Sequence, residues 1–211
     1  MARALDLPYI EGDTLHPSSN IEKMSSGQPL TDSDREPWLL RIRTTAERMA
    51  IEVLYTSAKA NVNTKRGVVI SCSALKKRYR DVLRGIEGEQ ETYYKINLWS
   101  NEEYQPIDSP FSNMRTLFVY IEGTRDVLME RMTKRILHFM KPSMLDKQLE
   151  DLEEPVQNSE EGIIIVSMMD STENQVRAAQ QGLKRVLNIG VQEQALPVPS
   201  GGSPLIGSDN H

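Results

Sequence analysis

Val68-Val69-Ile70-Ser71-Cys72-Ser73-Ala74-Leu75-Lys76-Lys77-Arg78-Tyr79-Arg80 is the stretch whose reading decides the fold. Its first five residues form a short, nearly continuous run rich in β-branched side chains. Such a run suits a strand covered on both faces, the habit of parallel sheets. The run passes through small residues into a cluster of cations, as where a parallel strand hands over to a helix. Two further runs have the same character, Thr116-Leu117-Phe118-Val119-Tyr120-Ile121 and Ile163-Ile164-Ile165-Val166. A weaker one, Pro8-Tyr9-Ile10, ends at Glu11-Gly12-Asp13-Thr14-Leu15-His16-Pro17.

Helical periodicity fills the intervals. Trp38, Ile42, Ala46, Met49 and Val53 recur on one face, with Thr31 and Asp34 as the cap and Pro37 in the first turn. Val127, Leu128 and Met132 mark a second helix. Leu145, Leu149 and Leu152 mark a third, opened by Ser143 and Asp146 as a capping box. Val176, Ala179, Leu183, Val186 and Leu187 mark the last. Strand and helix alternate, which predicts an α/β layered domain over residues 1–190, a parallel sheet flanked by helices. Residues 85–114 are polar, carry Pro106 and Pro110, and read as a surface insertion. Residues 191–211 are rich in Pro, Gly and Ser and read as a disordered tail.

Composition narrows the class. The chain has 211 residues, enough for one real core. A net charge of −5 argues against a general nucleic-acid binder. One cysteine, Cys72, permits no intrachain disulfide. No apolar run has membrane-spanning length, and Met1 to Leu7 lacks the apolar core of a signal peptide. A cytoplasmic protein without membrane contact is expected.

The polar motifs fall where chemistry is done in open α/β sheets, at the carboxyl ends of strands. Asp13 ends a strand, where a carboxylate accepts a proton or orients a hydroxyl; it also reads as an N-cap or turn aspartate. Lys76, Lys77, Arg78 and Arg80 follow a strand directly, and cations beside a helix N-terminus attract anions. The same run also reads as a solvated helix face. Arg131 and Arg135 lie four apart on one helix face, so both can close over phosphates, or pair with neighbours such as Glu130.

Taken together, Glu11 to Pro17, Asn20-Ile21-Glu22-Lys23-Met24, Gly27-Gln28-Pro29-Leu30, Asp32 to Arg35 and Pro37-Trp38 resemble the gluconokinase family. Ser73 to Lys77, Tyr79-Arg80-Asp81, His138-Phe139, Met144-Leu145 and Gln148-Leu149 carry the same resemblance, which covers most of residues 4–187. It implies the P-loop fold shared with shikimate and nucleoside-monophosphate kinases, and transfer of a phosphoryl group from ATP, with Mg²⁺, to D-gluconate. It implies Asp13 as the catalytic carboxylate and His16, Lys23, Arg35, Lys76 and Arg80 as substrate ligands. Arg131 and Arg135 fall to the nucleotide lid, and Glu11 and Asp13 to the metal. Glu11 replaces an Asp frequent in the family, and Ile136-Leu137 precedes His138 where relatives carry a polar or small residue.

No G-x-x-x-x-G-K-[ST] occurs in the sequence. The chain opens on what reads as the end of a helix, Ala2 to Leu7, so a strand, a phosphate-binding loop and most of a helix are expected upstream, roughly 30 residues. The P-loop strand of the family is central. Four parallel strands are therefore expected, in two pairs with no fifth between them, and little turnover by the chain alone. The competing reading is a non-catalytic relative that binds gluconate or pairs with an intact subunit; a third is a truncated gene product. Expected partners are gluconate and, as a homodimer, a second copy of the chain.

Overall fold

The computed structural model describes residues 1–60, 67–86, 114–134, 142–157 and 159–193. In chain order the elements are α1 (Ala2–Leu5), β1 (Tyr9–Glu11), a 3-10 turn (Gly12–Leu15), α2 (Ser18–Ser25), α3 (Asp32–Ala60), β2 (Val69–Ser71) and α4 (Lys77–Arg84). Then come β3 (Phe118–Glu122), α5 (Arg125–Lys134), α6 (Pro142–Asp151), β4 (Ile163–Ser167) and α7 (Thr172–Glu193). The four strands are those expected, each displaced by one or two residues.

β1 pairs with β2 in parallel, Ile10 opposite Ile70, and β3 pairs with β4 in parallel, Tyr120 opposite Ile165. Among the described residues these form two separate two-stranded sheets, the pairing expected from the sequence. One cluster joins them. Trp38, Leu39, Ile42, Tyr79 and Leu83 are buried together, and Ile70 and Cys72 of the β2 side and Phe118 of β3 pack against them. Fully burying each such side chain contributes roughly 1.5–3 kcal/mol. A second cluster, Ile164, Val166 and Ala179, seats α7 on β4. Gly182 allows that contact to be close, since a Cβ there would stand 2.6 Å from Ile164 Cγ2.

α3 starts as the sequence predicts. Thr31 N–H donates to Asp34 Oδ2 at 2.7 Å and Asp34 N–H returns to Thr31 Oγ1 at 3.3 Å, a reciprocal cap. Pro37 lies in the second turn of this 29-residue helix, not the first. The helix continues past it because Trp38, Leu39 and Ile42 are anchored in the core. Cover on both faces holds best for β4; Ile121 and Glu122 at the end of β3 are exposed. Val191 to Glu193, expected in the tail, extend α7. The rest of that tail, nearly all of the 85–114 insertion, and the side chain of Ser143 lie outside the described residues.

Candidate active site

β1 ends at Glu11, whose carboxylate accepts from the Tyr9 hydroxyl at 2.6 Å and from Ser71 Oγ at 2.6 Å. Glu11 is thereby tied across both strands, and its hydrogen bond from the hydroxyl raises the Tyr9 pKa. The chain then turns tightly, with Gly12 close to β2: a Cβ on it would meet the Ser71 carbonyl at 2.1 Å. Trp38 Nε1–H donates to the Gly12 carbonyl at 2.8 Å, locking the turn to α3. Asp13 follows directly and is exposed.

His16 stacks on Trp38, with ring centroids 4.3 Å apart and planes 12° from parallel. Asn20 Nδ2 donates to the Asp34 carbonyl at 2.7 Å and lies 3.2 Å from His16 Nδ1. Burial, then the Arg35 cation, lowers the His16 pKa to about 4, so the ring is neutral near pH 7. Burial likewise pushes the Cys72 thiol up to about 11, with the Asp13 carboxylate adding to the effect.

The cations gather at Asp32. It accepts from Tyr79 Oη and Lys76 Nζ and pairs with Arg78, contacts that hold its carboxyl well below the usual carboxylate range. Arg35, Lys76 and Arg78 all lie within 5.8 Å of the Tyr79 ring centre. Arg35 is buried and faces Asp151 Oδ2 at 3.7 Å. Lys23 meets Asp34 at 2.6 Å, which, with Thr31, lowers the Asp34 pKa to about 2.

Asp13, His16, Arg35, Trp38 and Ser73 line one cleft at the carboxyl ends of β1 and β2, closed on the far side by Lys147 and Gln148 of α6. Its volume is about 50 Å³. A larger hollow of about 460 Å³ lies around Ser159, Gly162 and Arg185, at the amino end of β4. Of the two, the smaller cleft is the functional candidate, because it brings together a carboxylate, a neutral imidazole and a buried cation at the strand ends.

This chain is 37% identical over 173 residues to a probable gluconokinase of Schizosaccharomyces pombe, covering 82% of this chain and 72% of that protein. It is 34% identical over 185 residues to the thermoresistant gluconokinase of Escherichia coli K12, 88% of one and 83% of the other. The crystal structure of a gluconokinase from Sinorhizobium meliloti 1021 superposes with a TM-score of 0.60 at 35% identity, covering 92% of this chain and 86% of that one. The chain belongs to the gluconokinase family. It is therefore an ATP-dependent kinase of the P-loop fold. No family model matches it.

Of the residues expected in a gluconokinase site, Asp13, His16 and Arg35 come together in the cleft. Lys76 is not among the residues lining it and is held by Asp32 at 2.9 Å. Lys23 is taken up in the α3 cap. Arg80 has a different place from the expected ligand. Its guanidinium is buried, pairs with both oxygens of Glu160 at 2.5 and 2.8 Å, and donates to the Ala74 and Leu75 carbonyls. A guanidinium sealed from water needs that compensation. The α4 N-terminus, expected to attract a substrate anion, is met by the chain's own Glu153, which accepts from Lys77 N–H at 2.7 Å. Arg131 donates to the Met168 carbonyl; Arg135, its expected lid partner, lies outside the described residues. Glu11 and Asp13 stand two residues apart, at the end of β1 and in the turn that follows it; the described residues contain no group of three or more His, Cys, Asp or Glu that could hold an ion. Sequence reading missed Ser73, Trp38 and Gln148 as cleft walls, although all three stand in the motifs that signal the family. Glu160 carries no sequence signal; it is remote from Arg80 and belongs to a plain acidic pair.

Proposed function

We propose that this gluconokinase-family protein binds D-gluconate in the cleft at the ends of β1 and β2. The terminal phosphoryl group of ATP passes to a gluconate hydroxyl, giving 6-phospho-D-gluconate and ADP. Asp13, His16 and Arg35 converging on one cleft is the observation that carries this reading. Asp13 accepts the hydroxyl proton as the new P–O bond forms, or holds it in line. Arg35, buried and cationic, meets the gluconate carboxylate through a charge-assisted hydrogen bond, competing with Asp151 for it. Lys76, outside the cleft lining, adds positive charge. The cleft is smaller than the usual range for ligand pockets, roughly 300–1,000 Å³, so binding moves the α6 wall outward at Lys147 and Gln148.

The sequence holds no phosphate-binding loop of the Walker type. For Mg²⁺, Glu11 and Asp13 are hard oxygen donors of the right kind, and this ion usually takes one or two carboxylates with phosphates and water.

Calorimetric titration without nucleotide tests the substrate: saturable heat is expected with D-gluconate and none with D-glucose. No binding of gluconate would overturn the reading. Asp13→Asn should leave gluconate affinity within about threefold. Any gluconate-dependent ADP release should fall by roughly 10²-fold or more, the usual weight of general base catalysis.

A further inference from the structure

Asn20 has a role that the gluconate reading does not assign. Its Nδ2 lies 2.7 Å from the Asp34 carbonyl oxygen, an atom that can only accept. The amide orientation is thereby fixed, because the flipped form would set oxygen against oxygen. The second Nδ2 hydrogen goes to His16 Nδ1, 3.2 Å away, which must then be an acceptor. A doubly protonated ring would set N–H against N–H, so the geometry itself requires a neutral imidazole. Flipping the ring would replace Nδ1 with a C–H and lose the bond, and stacking on Trp38 holds the plane. The single ring proton therefore resides on Nε2. That nitrogen has no protein partner among the described residues, and it is not a sealed orphan: the one such buried atom there is Arg84 Nε. The ring belongs to the lining of the cleft that also holds Asp13.

We propose that Asn20 is a positioning residue that fixes His16 as the Nε2–H tautomer, making His16 a hydrogen-bond donor to an acceptor oxygen of the bound ligand. The inference rests on the gluconate reading for the ligand's identity, but not for the tautomer. Its consequence is orientational. A substrate hydroxyl that accepts from His16 turns its own proton elsewhere, and Asp13 is the carboxylate on the same cleft wall. The hydroxyl is thus held with its oxygen toward the imidazole and its proton toward the base. The site disfavours a ligand that offers an ammonium in place of that hydroxyl, since N–H would face N–H.

Nitrogen NMR of the full chain, with histidine labelled, tests this before any ligand is added. The chain has three histidines, and His16→Gln identifies the His16 signals by their loss. At pH 7 the expected spectrum shows an unprotonated Nδ1 and a protonated Nε2. A protonated Nδ1, or a rapid mixture of both tautomers, overturns the proposal without need of a variant. Addition of D-gluconate should shift the Nε2–H resonance and leave Nδ1 nearly unmoved. If gluconate binds by calorimetry but leaves Nε2–H unmoved, the donor role falls. If gluconate does not bind at all while the tautomer is as stated, the substrate reading falls and the positioning role of Asn20 stands. Asn20→Asp, which offers an acceptor to Nδ1, should reverse the tautomer and weaken gluconate at least tenfold. His16→Gln, which keeps an N–H near the Nε2 position, should weaken it less.

Discussion

Among the described residues the buried polar side chains, His16, Asn20, Arg35, Arg80 and Asp81, all lie around β1 and β2, beside the apolar Trp38, Leu39, Ile42, Tyr79 and Leu83; around β3 and β4 the buried residues are the apolar Ile163, Ile164, Val166, Met168 and Ala179. The polar set is held by directional bonds and ion pairs, Asp81 by Lys77 and Arg84. The second is held by packing, which has no preferred direction. Chemistry requires side chains at set angles, so the half with buried polar groups carries the cleft, while the other half is a platform. The two halves meet at the shared cluster around Trp38, into which Phe118 packs, and through a set of polar groups. Arg80 and Arg84 of α4 reach Glu160 in the loop before β4, Arg43 of α3 donates to Thr116 Oγ1 before β3, and Arg84 lies 4.8 Å over the Phe118 ring.

The sharpest way to break this division is at that bridge. Arg80→Ala leaves Glu160 buried without its main partner and should cost about 3–5 kcal/mol in urea unfolding. Arg80→Met with Glu160→Leu should recover most of the loss, because both charges then leave the interior together. If the single variant is as stable as wild type, the bridge does not join the halves.

A second test uses pH and bears on the polar half alone. The folded-state pKa of His16, about 4, lies below the free value, roughly 6.5. Above pH 6.5 the ring is neutral folded and unfolded, and burial carries no penalty. As pH falls through that value the unfolded chain takes up the proton first, and stability drops until about pH 4, in all by roughly 3 kcal/mol. His16→Gln should flatten this part of the stability–pH curve. An unchanged slope would show that some other group titrates there. Glu160 acts lower: Arg80 depresses its pKa, so its contribution is whole above the free glutamate value of roughly 4.3 and fades as pH falls through the depressed folded one.

The smallest effect is expected in the platform. Gly182→Ala brings a methyl against Ile164 and should cost about 1–3 kcal/mol, the range for overpacking. Gluconate affinity should not change. A loss of affinity by calorimetry would mean that the platform and the cleft are not separable.

The same contrast governs what could be read from sequence. All four strands were legible, since short β-branched runs between helical periods leave little choice. Asp13, His16 and Arg35 were legible as a group because their motifs are dense and local. Arg80 stands inside such a motif and still went elsewhere. Its partner Glu160 lies far along the chain, and no local pattern announces a long-range ion pair. Asn20 stands within a family motif, but its use of both amide hydrogens depends on where Asp34 places a carbonyl. Binding at the α4 N-terminus was inferred from the helix dipole, and only the fold shows that Glu153 is already there.

Cys72 is the sole cysteine of the chain, at the end of β2 beside the turn that carries Asp13. Its thiol, pushed up to about 11, is almost wholly protonated in the folded protein, and thiolate is the form that reacts. A maleimide therefore labels native Cys72 slowly, through moments when the Gly12 turn lifts from β2 and water enters. Labelling makes the residue a clock, ticking once for each time the cleft end of the first strand pair comes open while the platform behind it stays folded.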